Sequence, residues 1–375
     1  MSDAATVRKI TRNIEEVLTH DDLERLVTSG TPLRHYIGFE ISGKIHLGSL
    51  VCMSKVRDFV DAGVDCTIFL ADWHTWINDK LGGDPDTIKR VAGGYFRLGM
   101  KATFECVGGD PSKLRFVLGS DLYHHSDAYW STLIDVAKNT TLARMQRSIT
   151  ILGRKEGESV DFAKLIYPPM QVADIFSMGI NIAHAGMDQR KAHVIARDVA
   201  SKMKISPLMS EDGHRLKPVC VHHPLLLGLR KPATWPPPEG AALADFWAAM
   251  KMSKSDATSS LFIHDSPDEI RAKVRKAFCP PDYPDFNPML DWVRKLVFAR
   301  DDEFRIERKV EHGGDLRFAS PEEVTDAYSS GALHAADLKN GVAEWLVAAL
   351  APARAAFTHP ENRALLEELE QLLKK

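Results

Sequence analysis

The chain has 375 residues, 44% of them hydrophobic and 26% charged, with a formal net charge of −3. That composition belongs to an ordinary globular protein with room for about two domains, and no apolar run approaches the ~20 residues that span a bilayer. The charge balance excludes a surface that is basic throughout; clusters such as Arg144, Arg147, Arg154 and Lys155, or Arg271, Lys273, Arg275 and Lys276, are read as solvated helix faces unless something else makes them a track for nucleic acid.

The opening residues, Met1-Ser-Asp-Ala-Ala-Thr6, lack a basic-then-apolar leader, so the expected location is the cytoplasm. Residues 1–33 are predicted helical, with Ile10, Ile14, Val17 and Leu18 spaced for one face until Thr31-Pro32 breaks the pattern. Tyr36 to Phe39 then reads as a short strand. After a Gly/Ser turn, a helix runs from about His46 to Asp61 with Leu50, Met53, Val56 and Val60 on one side. Val64 to Leu70 is a nearly continuous apolar run, the pattern of a strand buried in a parallel sheet. Pro85 to Leu98 is predicted helical, Ala102 to Val107 a strand, and Leu122 to Lys138 a helix with Leu133, Ile134 and Ala137 inward. A basic helical excursion, roughly Thr140 to Arg154, precedes the segment Ile166 to Asp174. Ile180 to Ala185 is a strand, Asp188 to Lys202 a helix, and Pro218 to His222 the last strand of the series. This alternation implies an α/β fold with a doubly wound parallel sheet, whose ligands bind at the carboxyl ends of the strands. Lys231 to Pro238 is a stiff Pro-rich connection. A Trp-containing helix leads to Lys251-Met-Ser-Lys-Ser255, and beyond a helix cap at Asp265 or Ser266 the remainder reads as mostly helical.

The turn between Tyr36 and Ser49 has the makings of a phosphate site. The first N–H groups of a helix and the positive end of its dipole favour an anion, Gly43 and Gly48 remove obstructing side chains, and His46 adds a donor. Glycines at a strand-to-helix turn are common in any α/β protein. The second element, Lys251 and Lys254 among small hydroxyls, is what a mobile cationic clamp over polyphosphate requires. The five cysteines (Cys52, Cys66, Cys106, Cys220, Cys279) form no C-x-x-C pair, so neither a disulfide framework nor a zinc ribbon is indicated. His124-His125 and His222-His223 are adjacent pairs whose side chains would point apart, which suits surface or packing roles rather than a metal, and none is expected.

His46-Leu-Gly-Ser49 and Lys251-Met-Ser-Lys-Ser255 resemble the HIGH and KMSKS elements of class I aminoacyl-tRNA synthetases. The stretches YIGFEISGKIHLGS (36–49), LADWH (70–74), YPPMQVADI (167–175), HAGMDQRK (184–191), VHHPLLLGL (221–229), RAKVRKAFCP (271–280) and LHAADLKN (333–340) are similar, in family order, to the tyrosyl-tRNA synthetases of the archaeal and eukaryotic type. The resemblance implies a helical segment 1–33, a Rossmann-like catalytic domain 34–229 with a helical connective insertion at about 110–160, a Pro-rich linker with the KMSKS loop at 230–264, and a helical anticodon-binding domain 265–375. It implies activation of tyrosine by ATP, with Mg²⁺ carried on the nucleotide, transfer to tRNA(Tyr), and a homodimer.

Residue by residue, the resemblance assigns His46, Gly48, Lys251 and Lys254 to catalysis, and Gly38, Gly48, Ser49, Gly186, Asp188, Lys251, Met252, Ser253 and Lys254 to ATP. To tyrosine it assigns Tyr36, Phe69, His74, Tyr167, Gln171, Asp174 and Gln189. Telling tyrosine from phenylalanine requires a donor and an acceptor for the phenol in an apolar pocket, a rule this family itself standardly illustrates; Tyr36 and Asp174 would be that pair. Arg147, Arg190 and Lys191 match positions near the acceptor stem, and His334 and Asp337 match positions that meet the anticodon. Three residues depart from the family pattern: Ser49 replaces the second histidine, Ile41 a frequent proline, and His312 a common stacking aromatic. The alternatives are a tryptophanyl-tRNA synthetase, disfavoured because an indole offers a single donor to Tyr36 and Asp174, an RNA-binding paralogue without charging activity, and an enzyme for a modified tyrosine.

Overall fold

The alternating strands assemble, in the computed structural model of the chain, into a six-stranded sheet of order β1-β6-β5-β2-β3-β4. The description covers all residues except 155–156, 241, 253–259, 282 and 375, and omits the side chains of 242, 244, 245, 248 and 312. The strands are β1 Glu16–Leu18, β2 Arg34–Phe39, β3 Asp65–Leu70, β4 Leu114–Leu118, β5 Ile182–Gly186 and β6 Val219–His223. β2 lies at the centre, parallel to β3 (Tyr36 opposite Thr67) and to β5 (Tyr36 opposite Ala183). Strand order reverses there, which opens the crevice at the carboxyl ends of β2 and β5 where doubly wound sheets take their ligands.

The helices of this half are α1 Asp3–Thr11, α2 His20–Thr28, α3 Gly48–Asp61, α4 Asp72–Ile77, α5 Pro85–Val91, α6 Arg97–Cys106, α7 Gly119–Tyr123, α8 Asp127–Lys138, α9 Leu142–Ser148, α10 Phe162–Ser177 and α11 Arg190–Ala200. Leu50, Met53 and Val56 of α3 are buried as expected.

Four expectations need correction. Residues 1–33 are not all helical: Val17, buried between α1 and α2, belongs to the short antiparallel edge strand β1 and stands opposite Val221. Ala102 to Val107 ends helix α6 and its cap rather than forming a strand, because Ala102, Thr103, Phe104 and Cys106 are buried against α3 and its surroundings from several sides, which masks a helical period. The fourth strand of the parallel series is instead Leu114–Leu118, where Arg115 obscures the apolar pattern by reaching across to the Thr67 hydroxyl at 2.9 Å. The helix foreseen from Leu122 breaks at His124-His125 and restarts under a Ser126 cap; Leu133 is buried, but Ile134 and Ala137 face outward.

Beyond β6 come α12 Ala242–Met250 and α13 Pro267–Arg275. Ser266 and Glu269 form a reciprocal capping box on α13. Further helices follow at Pro321–Ser329, Ala335–Ala349 and Pro360–Leu372. A hairpin, β7 Phe304–Ile306 with β8 Leu316–Phe318, interrupts a stretch that the sequence presents as mostly helical. Both halves share one apolar core: Ile45, Leu50 and Val56 belong to the same buried cluster as Met289, Trp292 and Leu369.

Candidate active site

A cavity of about 450 Å³ opens at the strand-order reversal. Tyr36, Gly38, His46, Gly48, Ser49, Phe69, His74, Tyr167, Gln171, Asp174, Gly186, Asp188, Gln189, Lys251 and Met252 all line it. Ser253, Lys254 and Ser255 lie outside the described residues.

At its apolar end, strand alternation puts Tyr36 and Gly38 on the same face, with Phe69 edge-on to Tyr36 at 6.0 Å between ring centres. Helix α10 supplies the opposite wall. Tyr167, Gln171 and Asp174 are four and three residues apart and therefore share one side of that helix. Pro168 and Pro169 carry no N–H, so the α10 carbonyls one turn earlier lose intrahelical partners just where the helix passes the cavity.

Asp174 is fully buried. Its Oδ1 accepts from the hydroxyls of Tyr123 at 3.0 Å and Tyr129 at 3.1 Å, while its Oδ2 stands 3.7 Å from His74 Nε2. Burial pushes its carboxyl up to about 8, against the two phenols, which pull it down. Burial likewise drives His74 down to about 3, so its ring is neutral, and raises the Tyr36 hydroxyl well above its ordinary value with help from Asp174.

Beside Tyr36, the Gln171 amide donates to Gln189 Oε1 at 3.4 Å, and Gln189 donates to the Ile151 carbonyl at 3.0 Å. Tyr167 donates to Glu40 at 2.9 Å, which also accepts from Asn78 at 2.9 Å. Two buried acceptors in this cavity, Gln171 Oε1 and His74 Nε2, have no hydrogen-bond partner among the described residues. Tyr123, Tyr129 and Glu40 are absent from the sequence-based assignment. Only the aromatic run around Tyr123-His-His-Ser-Asp-Ala-Tyr129 hinted at the first two.

At the polar end, α3 begins at Gly48 with no side-chain cap, so its N-terminal turn faces the cavity. The Gly48 N–H donates to His46 Nδ1 at 2.9 Å. A β-carbon on Gly48 would lie 2.5 Å from His46 Cε1, and one on Gly186 would lie 2.7 Å from Asp188 Oδ1. Both glycines are thus required by close approach. Lys251 reaches Asp188 at 3.3 Å, and Met252 N–H donates to the Leu226 carbonyl at 2.8 Å, which moors the start of the KMSKS segment beside β6.

Beneath this end runs a chain of buried rings that the sequence left unread. His35 Nε2 meets His184 Nδ1 at 3.1 Å, His184 Nε2 meets His223 Nδ1 at 2.8 Å, and His223 Nε2 meets Cys52 Sγ at 3.4 Å. Burial lowers His35 to about 3, His223 to about 4 and His184 well below its ordinary value, so all three are neutral and carry one N–H each. Cys52 donates to the Gly48 carbonyl at 3.6 Å, so its sulfur is the acceptor from His223 and every N–H in the chain points toward α3. His222 turns the other way, to His193 at 3.0 Å and Glu16 at 3.0 Å. His124 and His125 do not point apart; they share a turn with ring centres 4.6 Å apart.

The residues matched to tRNA positions stand away from the cavity lining. Lys191 donates to the Arg147 carbonyl at 2.9 Å, which joins α9 to α11. Arg190 grips Glu16 with both nitrogens at 2.7 and 2.8 Å. His334 caps the helix Ala335–Ala349, and Asp337 pairs with Arg308 at 3.4 Å. In the basic clusters, Arg144 pairs with Asp198 and Arg271 with Glu344. Lys155 and the His312 side chain lie outside the description.

A family model described as tRNA synthetases class I (W and Y) matches residues 28–351. The tyrosine–tRNA ligase of Thermococcus sibiricus is 55% identical over 359 residues, 95% of each chain, and that of Pyrococcus furiosus 54% over the same coverage. Tyrosyl-tRNA synthetase of Pyrococcus horikoshii, solved with L-tyrosine, superposes with a TM-score of 0.94 at 51% identity, covering 98% of this chain and 100% of its own. The enzyme of Aeropyrum pernix gives 0.82 at 40% identity over 98% and 99%.

Proposed function

The chain belongs to the class I tRNA synthetases of the tryptophan and tyrosine group and, within it, to the archaeal-type tyrosine–tRNA ligases; from that membership we propose how its own residues share the reaction. That reaction is the ATP-dependent joining of tyrosine to tRNA. The observation that carries the assignment of the amino-acid site is the pair of buried side-chain atoms, Gln171 Oε1 and His74 Nε2, that have no partner among the described residues and belong to residues lining the same cavity as Tyr36 and Asp174. Buried acceptors without partners are costly unless a ligand completes them.

Tyrosine sits with its phenol between Tyr36 as donor and Asp174 as acceptor, and with its ring on Phe69. Its ammonium meets Gln171 Oε1, while Tyr167 and Gln189 orient the same end. The substrate carboxylate, with a pKa of about 3.5, is already ionised, so attack on the α-phosphorus needs alignment and charge relief rather than a general base. His46 accepts at Nδ1 from Gly48, which leaves Nε2 as the donor to phosphate. Ser49 at the α3 terminus, Lys251 and Lys254 add charge stabilisation as pyrophosphate departs. Gly38, Gly186 and Met252 shape the nucleotide cleft and Asp188 accepts from the ribose.

Mg²⁺ would ride on the ATP phosphates and would supply neutralisation of their charge, beside Lys251, Lys254 and His46. Arg147, Arg190 and Lys191 receive the acceptor stem, and His334 and Asp337 the anticodon. The exposed Trp76 and Trp130, joined through Trp73, form with the exposed Ile134, one turn beyond Trp130 on α8, an apolar patch suited to a second copy of the chain. No described helix is long and apolar enough to cross a membrane, in keeping with work in the cytoplasm. The test is ATP–pyrophosphate exchange with each of the twenty amino acids: tyrosine alone should support it, and a preference for tryptophan would end the assignment.

A further inference from the structure

We propose that Tyr123 and Tyr129, which do not line the cavity, select the amino acid as positioning residues: they clamp Oδ1 of Asp174 so that Oδ2 is the acceptor presented to an incoming phenol. This rests on the reading that Asp174 meets the substrate's hydroxyl.

The two phenols come from different helices, α7 and α8, and both are almost wholly buried with ring centres 4.4 Å apart. The turn between them is locked by the Trp130 indole N–H on the Tyr123 carbonyl at 3.1 Å. Each hydroxyl has a single proton: that of Tyr123 goes to Asp174 Oδ1 at 3.0 Å, and that of Tyr129 has the same oxygen as its nearer acceptor at 3.1 Å, with the Met170 carbonyl at 3.5 Å. A carboxylate held so at one oxygen cannot rotate, and its second oxygen is fixed in place.

The clamp also sets the neighbouring ring. Because Tyr123 has given its proton to Asp174, its oxygen can only accept at the 3.4 Å contact with His74 Nδ1. His74 therefore carries its N–H there and turns a bare Nε2 toward Asp174 Oδ2, 3.7 Å away. With Asp174 ionised, Oδ2 and Nε2 are two acceptors facing one gap, and His74 Nε2 has no partner among the described residues. A ligand O–H supplies the one proton that Oδ2 of the ionised acid lacks; a bare phenyl ring leaves that oxygen buried and unpaired beside His74 Nε2.

The groups facing Asp174 are few: His74 and Asp72 from α4, Tyr36 from β2, Tyr167 from its own helix, and the two clamping tyrosines. Asp72 is occupied by the N–H groups of Trp73 and Ser120, both at 2.9 Å. None of these groups is a cation, so the phenols are what favour the ionised acid against its burial.

The experiment uses the full chain with Tyr123→Phe, Tyr129→Phe, the double variant and, separately, Asp174→Asn, in pyrophosphate exchange with tyrosine or phenylalanine between pH 6 and 9.5. Loss of a hydrogen bond to a charged group should lower kcat/KM for tyrosine about tenfold per hydroxyl, with phenylalanine use and KM for ATP unchanged. The acidic limb of the tyrosine profile should move up by about one pH unit in the double variant, since each donor removed favours the protonated acid. Equal losses for both amino acids, no loss, or an unmoved limb would overturn the clamp. If the double variant also loses ATP use, the two single variants decide by the same criteria. Should Asp174→Asn leave the tyrosine-to-phenylalanine ratio intact, the phenol reading itself fails; should it lower the ratio while the tyrosine variants do not, the clamp alone fails.

Discussion

Gly48 donates its N–H to Nδ1 of His46 at 2.9 Å, and the ring lies so close that a side chain at residue 48 would begin 2.5 Å from His46 Cε1. The backbone N–H of residue 48 thus sets the tautomer of the phosphate-facing histidine, and the missing β-carbon admits its tilt. Gly48→Ala should push the ring aside and lower kcat for adenylate formation about 10²-fold, the usual effect of a displacement near 1 Å. KM for tyrosine should hold, and single-turnover adenylation with tyrosine titration separates the two.

Lys251 pairs with Asp188 at 3.3 Å before any nucleotide arrives. ATP must exchange that pair for contacts of its own, so Lys251→Ala should cost most where charge develops, about 10²-fold in the adenylation rate. Tyrosine affinity should change less than about twofold on this account. Pyrophosphate exchange at saturating and limiting tyrosine checks both expectations.

Burial lifts Asp174 to about 8, so in the uncombined chain near neutral pH much of it is protonated and a poor acceptor. Raising the pH through that value ionises it, and tyrosine affinity should therefore rise toward pH 8 and level off above. The same shift runs the other way in stability: between about 4 and 8 the folded state binds the extra proton, so folding weakens as pH rises. Asp174→Asn should remove both slopes. KM for tyrosine against pH, alongside urea midpoints, tests the pair.

The histidine chain predicts the opposite limb. His35 is lowered to about 3 and His223 to about 4, as is His193 outside the chain to about 3, all by burial, against about 6.5 when unfolded. Their contribution is complete above pH 6.5 and drains as the unfolded chain takes up protons below it. Each accounts for about 1.4 kcal/mol per pH unit in that window. His35→Gln, whose amide nitrogen can replace Nε2 toward His184, should lessen the loss between pH 6.5 and 5 by about 2 kcal/mol, read from urea midpoints.

The sequence made the central strands legible because β2, β3, β5 and β6 are apolar runs bounded by turn residues. It misled at Ala102 to Val107, where burial on several sides of α6 imitates a strand, and at Leu114–Leu118, where Arg115 breaks the pattern at a sheet edge. The site followed the same division. Residues inside quoted motifs, such as Tyr36, His46, Asp174 and Lys251, line the cavity. Those that act from behind, such as Tyr123 and Tyr129, are recognisable only through contacts between elements distant in sequence, which no local period records.

The helix Pro360–Leu372 returns to the first third of the molecule: Lys44 meets Glu370 at 3.0 Å, Arg90 meets Glu368 at 2.7 Å, and Leu365 packs on Gly94. During synthesis the segments flanking the phosphate turn therefore wait for residues 360–372 to emerge before their outer surface is covered. A nascent chain not yet extended past Leu372 would leave that seam open to solvent and proteases, so this helix works as a latch that closes late on the segments beside the phosphate turn.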